Sequence, residues 1–166
     1  MPEREIVVDK DKITYEGLFH AKEVVQLIKD FARDKGLEYG EPKHTESVLP
    51  EGRFIELEIK LDRNITDYAK KVYMLKIQMH NVTEKVVERA KKKQKVHHGK
   101  VLVTMDGILE TDYEKRWEVK PVFYLVRVLF ERYVYSPYMN QFREEIRKDL
   151  KHLKDNIGAY LNLYKF

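Results

Sequence analysis

The C-terminal stretch from Ser136 to Phe166 constrains the fold more than any other part of the chain. Ser136 followed by Pro137 is typical of a helix start, because serine caps exposed amides and proline at the first helical position loses no hydrogen bond. The apolar residues that follow recur at steps of mostly three and four, which places them on one side of a helix. They are Phe142, Ile146, Leu150, Leu153, Ile157, Tyr160 and Leu161.

The other side of this predicted helix is charged and can remain in water. Its residues are Glu144, Arg147, Lys148, Lys151, Lys154 and Asp155. A helix of about 28 residues would be about 42 Å long at a rise of about 1.5 Å per residue. An apolar stripe of that length needs a broad apolar partner, and the pattern of the preceding chain favours a sheet.

The composition is that of a single globular domain, which we expect to span residues 1–166. Charged residues make up 36% of the chain, well above the usual quarter, and this excess of Lys and Glu suits a hot habitat and an archaeal origin. The chain has no cysteine, which excludes disulfides, cysteine nucleophiles and thiolate metal sites. No signal peptide or transmembrane stretch is recognisable, so we expect a cytoplasmic protein.

The first part of the chain predicts a strand followed by a helix. Glu5 to Tyr15 is interpreted as a strand with a turn near Asp9, and Glu16 to Lys35 as a helix that Gly36 ends. Lys120 to Tyr135 can be interpreted as either helix or strand, and the common face of its polar residues favours helix.

The region from Leu37 to Trp117 is predicted to be mostly β, as about six antiparallel strands joined by short turns. Val82 to Val96 is the least clear part, and we favour an exposed edge strand whose lysines would blunt the edge. His98-Gly99 is interpreted as a turn. Asp106-Gly107 is the strongest turn signal, because this pair suits a type I′ hairpin in which both residues take positive φ.

This order of elements resembles the helix-grip superfamily, the START and polyketide-cyclase-like domains, in which a curved sheet wraps a long C-terminal helix. The expected fold is therefore α+β, an antiparallel sheet of about six to seven strands packed on that helix. The resemblance implies an apolar pocket between sheet and helix, and the added Lys120–Tyr135 segment could plug it. It does not define a function, because this fold hosts transfer proteins, cyclases, hydrolases and co-chaperones.

Aromatic and charged residues are the candidates for lining such a pocket. A tyrosine offers an apolar ring with one hydrogen-bonding tip, and plain core packing is the alternative role for these side chains. An Arg–Glu pair in an apolar run could orient a polar ligand group, or could be a solvated pair on a helix surface. The candidates are Tyr73, Trp117, Tyr124, Phe142, Tyr160 and Tyr164, with Arg127 and Glu131.

No catalytic, metal or cofactor motif is recognisable. The six histidines have no HExxH-type spacing, although His44 with Glu46, or His97 with His98, could join a distant third ligand. No serine nucleophile elbow, phosphate-binding glycine loop or dinucleotide fingerprint occurs. An enzyme would have to use isolated polar groups such as Arg127, Glu131 or His80, so catalysis is left open.

One stretch is dense in positive charge and could meet phosphates. Its residues are Arg89, Lys91, Lys92, Lys93, Lys95 and Lys100, with His97 and His98 nearby. No aromatic residue interleaves them, so the stacking platform of single-strand binders is missing. A solvated, lysine-rich edge is the alternative interpretation.

The sequence thus predicts a domain that binds an apolar or amphipathic small molecule. The first alternative is a nucleic-acid or ribonucleoprotein accessory module that uses the basic 89–100 segment. The second is a protein-interaction module in which Lys120–Tyr138 packs on a partner or on another copy of the chain.

Overall fold

A computed structural model describes residues 3–111, 125, 128, 129, 132 and 136–163. These residues form an antiparallel sheet and two helices. In chain order the elements are β1 (Glu3–Phe19), α1 (Ala21–Lys35), β2 (Glu38–Leu49), β3 (Gly52–Asn64), β4 (Ala69–Arg89), β5 (Lys92–Thr111) and α2 (Ser136–Asn162). The strand order is β1-β5-β4-β3-β2, and every neighbouring pair is antiparallel.

The α+β class and the long C-terminal helix are confirmed, but the number of strands was wrong. Within the described residues the sheet has five strands rather than six to seven. The difference arises because β4 and β5 are 21 and 20 residues long and run through positions that were predicted to be turns.

The Asp106-Gly107 hairpin was a wrong prediction, since both residues lie inside β5. An Asp106 carboxylate oxygen accepts a hydrogen bond of 2.7 Å from the Lys10 N–H, where β1 is irregular. A Cβ at Gly107 would lie 2.5 Å from Ile146 Cγ2 and 2.9 Å from Leu150 Cδ1. Gly107 is therefore needed because α2 packs closely on the sheet at this position, and not because the chain turns there.

The real turn lies within the segment that was predicted to be an edge strand, and the turn predicted at His98-Gly99 was wrong. Ala90 and Lys91 have φ values of 50° and 62° and join β4 to β5. Positive φ at both central residues is the pattern of a type I′ hairpin, here without a glycine. Gly99 lies inside β5, where a Cβ would be 2.7 Å from the His80 carbonyl oxygen at a β-bulge.

Helix α1 ends as predicted but begins later. Gly36 takes a left-handed φ of 64°, and the Leu37 N–H donates to the Ala32 carbonyl at 2.8 Å. The helix starts at Ala21 rather than at Glu16, because residues 16–19 pair with β5.

Both helices cover the same face of the sheet, which is where the core lies. Helix α2 contacts β1 and β5, whereas α1 contacts β2 and α2. The predicted stripe of α2 is confirmed. Its fully buried members are Ile146, Leu150, Leu153, Ile157 and Leu161.

The opposite face of the sheet carries a cluster of charged and polar residues around Glu56. Glu56 is 8% exposed and accepts from Lys43 Nζ at 2.5 Å and from Gln78 Nε2 at 2.8 Å. These hydrogen bonds hold the pKa of Glu56 down, at about 2. The carboxylate therefore stays ionised across the usual pH range.

Most of the ambiguous Lys120–Tyr135 segment lies outside the described residues. Leu125, Val128 and Leu129 are described, are helical and are exposed. Neither of the two long helices in the described part of the chain is both long and apolar enough to cross a membrane.

Candidate functional site

The described residues that were predicted to line a pocket between the sheet and α2 pack in or against the core. Tyr73 is fully buried, and its hydroxyl donates a 2.6 Å hydrogen bond to Asp149 Oδ2. Phe142 is half-buried against the core. Trp117, Tyr124, Arg127, Glu131 and Tyr164 lie outside the described residues.

Asp149 is the centre of a polar network that joins three elements. Lys35 Nζ at the end of α1 lies 3.1 Å from Asp149 Oδ1, and Lys71 Nζ lies 2.7 Å from Glu145 Oε2. Burial, together with the Asp149 carboxylate, raises the pKa of Tyr73 above its ordinary value. Tyr73 is therefore a fixed hydrogen-bond donor that holds α2, rather than an acid or base for chemistry.

Tyr160 also connects the two helices. Its hydroxyl donates to Glu23 Oε2 at 2.7 Å and accepts from the His20 N–H at 3.2 Å. The structure thus places Tyr73 and Tyr160, both predicted to line a pocket, in contacts that fasten α2 to the rest of the fold.

A groove lies between α1 and strands β2 and β3, and we call it the α1 groove. Its volume is about 450 Å³. Its apolar floor consists of Val25, Ile55, Leu57 and Met79, and the last two are buried. The polar and charged residues that line it are Lys22, Gln26, Lys29, His44, Glu46, Arg53 and His97.

The charge of this groove is mostly positive. Arg53 is bonded to Glu46 and Glu84, at 3.2 Å each. Lys29 Nζ lies 5.2 Å from the centre of the Tyr39 ring. Among the described residues neither Lys22 nor Lys29 forms a salt bridge, so their charges are not neutralised by a neighbouring carboxylate.

His97 contributes an uncharged imidazole to the same groove. The Ala21 N–H at the start of α1 points to His97 Nδ1 at 3.5 Å, which leaves Nε2 to carry the proton. Burial and the nearby Arg53 guanidinium lower the pKa of His97. The ring is therefore neutral at neutral pH and can gain a charge when an anion approaches.

Sequence reasoning missed this groove because its residues come from five separate elements. One signal was present. Lys22 and Lys29 are seven residues apart, which is two helical turns, so they had to share a face of α1. The sequence could not tell that this face would flank the apolar floor formed by β3 and β4.

A second groove, of about 570 Å³, lies on the other side of α1, against α2. It contains the carboxylates of Glu23, Asp30 and Asp34, with Leu27 and Phe31 as apolar residues. Lys35 and Tyr160 line this second groove as well, and helix α1 thus separates two grooves whose linings have net charges of opposite sign.

The predicted basic residues gather on a hairpin that we call the β4–β5 arm, residues 83–98. The arm carries Arg89, Lys91, Lys92, Lys93 and Lys95. Lys100 does not belong to this group, because it lies in the main sheet between His80 and Glu16.

The histidine-based metal and catalytic hypotheses gain no support. Within residues 3–111, 125, 128, 129, 132 and 136–163, no three His, Asp or Glu side chains come together in a way that could hold a metal ion. His97 and His98 are adjacent in a strand and so point to opposite faces. The centre of the His80 ring lies 4.9 Å from the centre of the Phe54 ring, and the two rings are tilted by 49°.

No protein-family model matches this chain, and no curated protein is significantly similar to it. The function is therefore to be inferred from the geometry of the grooves and the arm.

Proposed function

We propose that this protein binds an amphipathic small molecule with an anionic group, and that the α1 groove holds it. The observation that carries the proposal is an apolar floor beside two lysines that have no carboxylate partner among the described residues. A volume of about 450 Å³ lies within the usual range for ligand pockets, which are mostly apolar with a few polar groups that fix orientation.

The two parts of the groove suit the two parts of such a ligand. An apolar tail would cover Leu57 and Met79, and burial of apolar surface gains about 25 cal/mol per Å². A carboxylate or phosphate head would lie near Lys22, Lys29 and Arg53, and arginine can bind such a group with two parallel hydrogen bonds. No reaction is included in the proposal.

The helix-grip relationship belongs to the same proposal. Helices on one face of an antiparallel sheet, with a long helix at the C-terminal end, support it. The ligand site differs from the expected one, because it lies between α1 and the sheet instead of under α2. A cytoplasmic location and a hot habitat remain expectations from the sequence.

Thermal unfolding with matched ligands tests the proposal. Decanoate, decanol and decylamine share a tail and differ in the charge of the head. A ligand at about 100 times its Kd stabilises a protein by about 2.7 kcal/mol, and at about 2–4 °C per kcal/mol the Tm should rise by about 5–11 °C. We expect this rise for decanoate, a smaller one for decanol and none for decylamine.

Charge-removing variants locate the site. In Lys22→Gln/Lys29→Gln the decanoate effect should fall to that of decanol. The control Lys148→Gln/Lys151→Gln removes the same charge from exposed positions of α2 and should leave the effect unchanged. Two results would refute the assignment of the ligand site to the α1 groove. One is that decanoate raises the Tm of both double variants equally, and the other is that decanoate and decylamine raise the Tm of the wild type equally.

The pKa of His97 gives an independent measurement. Burial lowers the pKa of His97 because it disfavours the charged form of the ring. A bound anion would favour the charged form and would therefore raise this pKa. We expect decanoate to raise the pKa of His97 in an NMR titration, and its affinity to increase as the pH falls through that range. An unchanged His97 titration at saturating decanoate would place the anionic head elsewhere.

A further inference from the structure

Strand β2 forms one edge of the sheet, and the outer side of this strand is open. Among the described strands it pairs only with β3. Eleven of its twelve residues are exposed, and Val48, at 82%, is the most exposed large apolar residue in the described part of the chain. An edge strand has a row of backbone N–H and C=O groups without a partner strand, and these groups can pair with another extended chain.

The features that protect this edge are confined to its first half. Pro42 lacks a backbone donor, and the pairing with β3 is irregular between Gly40 and Lys43. From Lys43 to Leu49 the register with β3 is regular and the chain contains no proline. The side chain of Lys43 lies on the sheet face away from the helices, with its ammonium 2.5 Å from Glu56 Oε1, and so it does not extend across the edge.

The edge formed by β1 is more covered than the edge formed by β2. Helix α2 contacts β1, and Lys154 Nζ lies 2.5 Å from Asp11 Oδ1. The register of β1 with β5 is interrupted twice before Asp11, and bulges twist an edge away from a partner strand. In the regular part, residues 11–19, only three of nine residues are exposed. Strand β2 is therefore the edge that is available for pairing.

The regular part of β2 is complementary to itself. When two copies of an edge strand pair in antiparallel fashion about a two-fold axis, each residue lies opposite a residue of the same sheet face. With the axis at Thr45, each His44 lies opposite Glu46 of the second copy, and each Lys43 lies opposite Ser47. Cross-strand threonine pairs stabilise neighbouring strands, and no like charges lie opposite each other in this register.

The neighbouring registers are less favourable. A shift of two residues keeps the faces matched, but it places His44 opposite His44 in one direction and Glu46 opposite Glu46 in the other. The register with Thr45 on the axis also brings Val48 next to Pro42 of the second copy, which would cover the most exposed apolar side chain.

The charged residues of β2 have partners within their own chain. His44 Nδ1 lies 3.1 Å from Glu41 Oε1, and Glu46 accepts from Arg53 at 3.2 Å. The register is therefore favoured because repulsion is absent, and not because any charge lacks a partner.

We propose that two copies of this protein associate through their β2 strands, with Thr45 on the two-fold axis, so that the two sheets join edge to edge. Dimers with two-fold symmetry are the commonest soluble assemblies. The α1 grooves of the two copies then open on the same face, and His44 of the second copy lies beside Glu46 at the rim of the groove. The inference does not depend on the small-molecule proposal.

Sedimentation velocity over a wide range of protein concentrations tests this proposal. The mass should rise from 20.0 kDa toward twice that value as the concentration increases. Thr45→Lys places two lysines opposite each other on the axis and should weaken the dimer by about 5- to 30-fold, because one favourable pair is lost and a repulsive pair is gained. Within its own chain the new lysine lies opposite Glu56, so the fold should be preserved. Thr14→Lys is the matched control, because Thr14 is an exposed residue of the other edge strand, and this variant should dimerise as the wild type does.

Cross-linking tests the register. The chain has no cysteine, so an introduced cysteine reports on a single position. With oxidised glutathione, Thr45→Cys should form a disulfide between copies, because opposite residues of an antiparallel pair have Cα atoms about 4.5–5.5 Å apart, which a disulfide can span. The two cysteines of Ser47→Cys would be about 14 Å apart along the strands, at about 3.4 Å per residue, and should not cross-link.

Several outcomes would overturn the proposal. They are a monomer at every concentration, a dimer that Thr45→Lys does not weaken, and cross-linking of Ser47→Cys in preference to Thr45→Cys. A dimer that Thr14→Lys weakens instead would place the contact at β1. A strict monomer would leave an extended segment of a different protein as the partner of this edge.

Discussion

Replacing Gly107 with alanine tests the position of α2 on the sheet, on which the whole description of the core depends. The new Cβ would be 2.5 Å from Ile146 Cγ2 and 2.9 Å from Leu150 Cδ1. Carbon atoms in contact prefer about 3.5–4.0 Å, so the two groups must separate by about 1 Å. Ile146 and Leu150 are fully buried, so the new methyl group must be accommodated inside the core.

The size of the effect follows from two opposing contributions. Overpacking of a well-packed core costs about 1–3 kcal/mol, whereas Gly→Ala lowers the entropy of the unfolded chain and stabilises by about 0.4–1 kcal/mol. We expect Gly107→Ala to lose about 1–2 kcal/mol of unfolding free energy. At about 2–4 °C per kcal/mol this corresponds to a Tm about 2–8 °C lower.

Urea denaturation followed by circular dichroism measures this difference, and Gly158 supplies the matched control. Gly158 lies inside α2, and an added Cβ would have no neighbour within 4 Å. Gly158→Ala should therefore stabilise the protein by about 0.5–1 kcal/mol, because alanine is a better helix former than glycine. The same chemical change should thus have opposite signs at the two positions.

A second variant distinguishes a local clash from a general effect. Ile146→Leu removes the methyl branch at Cβ that Gly107→Ala would strike. Together the two substitutions should be less harmful than the sum of the single effects, by at least about 0.5 kcal/mol. A Gly107→Ala variant as stable as the wild type, or strictly additive effects, would mean that α2 does not approach β5 in this way.

Two further predictions concern charged groups of the scaffold. Asp149→Ala should lower the unfolding free energy by about 1–3 kcal/mol in urea denaturation, because it leaves the buried Tyr73 hydroxyl without its acceptor, and Tyr73→Phe by about 1–2 kcal/mol; near-neutral values would show that the network is not formed. The lowered pKa of Glu56 gives a stability contribution that is present above about 4.5 and is lost as the pH falls toward about 2. Chemical denaturation between pH 5 and pH 2 should therefore show a wild type that loses stability faster than Glu56→Gln, and parallel pH curves would contradict this.

The parts of the fold that the sequence predicted correctly depend on residues close to one another in the chain. The stripe of α2, the end of α1 at Gly36 and the strand that contains Ile55 follow from periodicity or from one residue's backbone preference. Neighbouring residues are sufficient for such predictions.

The turns were predicted poorly because glycine has more than one use. Gly107 is required by side chains of a helix that begins about thirty residues later in the chain, and no local pattern reveals that contact. The true hairpin at Ala90 and Lys91 lacks the residues that favour its conformation, so residue preferences did not predict it.

The predicted site residues also divide into those whose role follows from nearby residues and those whose role depends on distant ones. Asp149 adjoins the apolar stripe at position i+3 from Ile146, a signal that was present but was not used.

The groove and the arm meet at two residues, so a ligand in the groove affects a contact of the arm. Arg53 lines the α1 groove and is also bonded to Glu84 at the base of the arm, while His97 lines the groove and pairs with Glu84 across the strands. An anionic ligand that binds Arg53 must compete with Glu84 for the same guanidinium. Glu84→Gln should therefore bind decanoate more tightly than the wild type, and an unchanged decanoate affinity in this variant would be inconsistent with a shared Arg53.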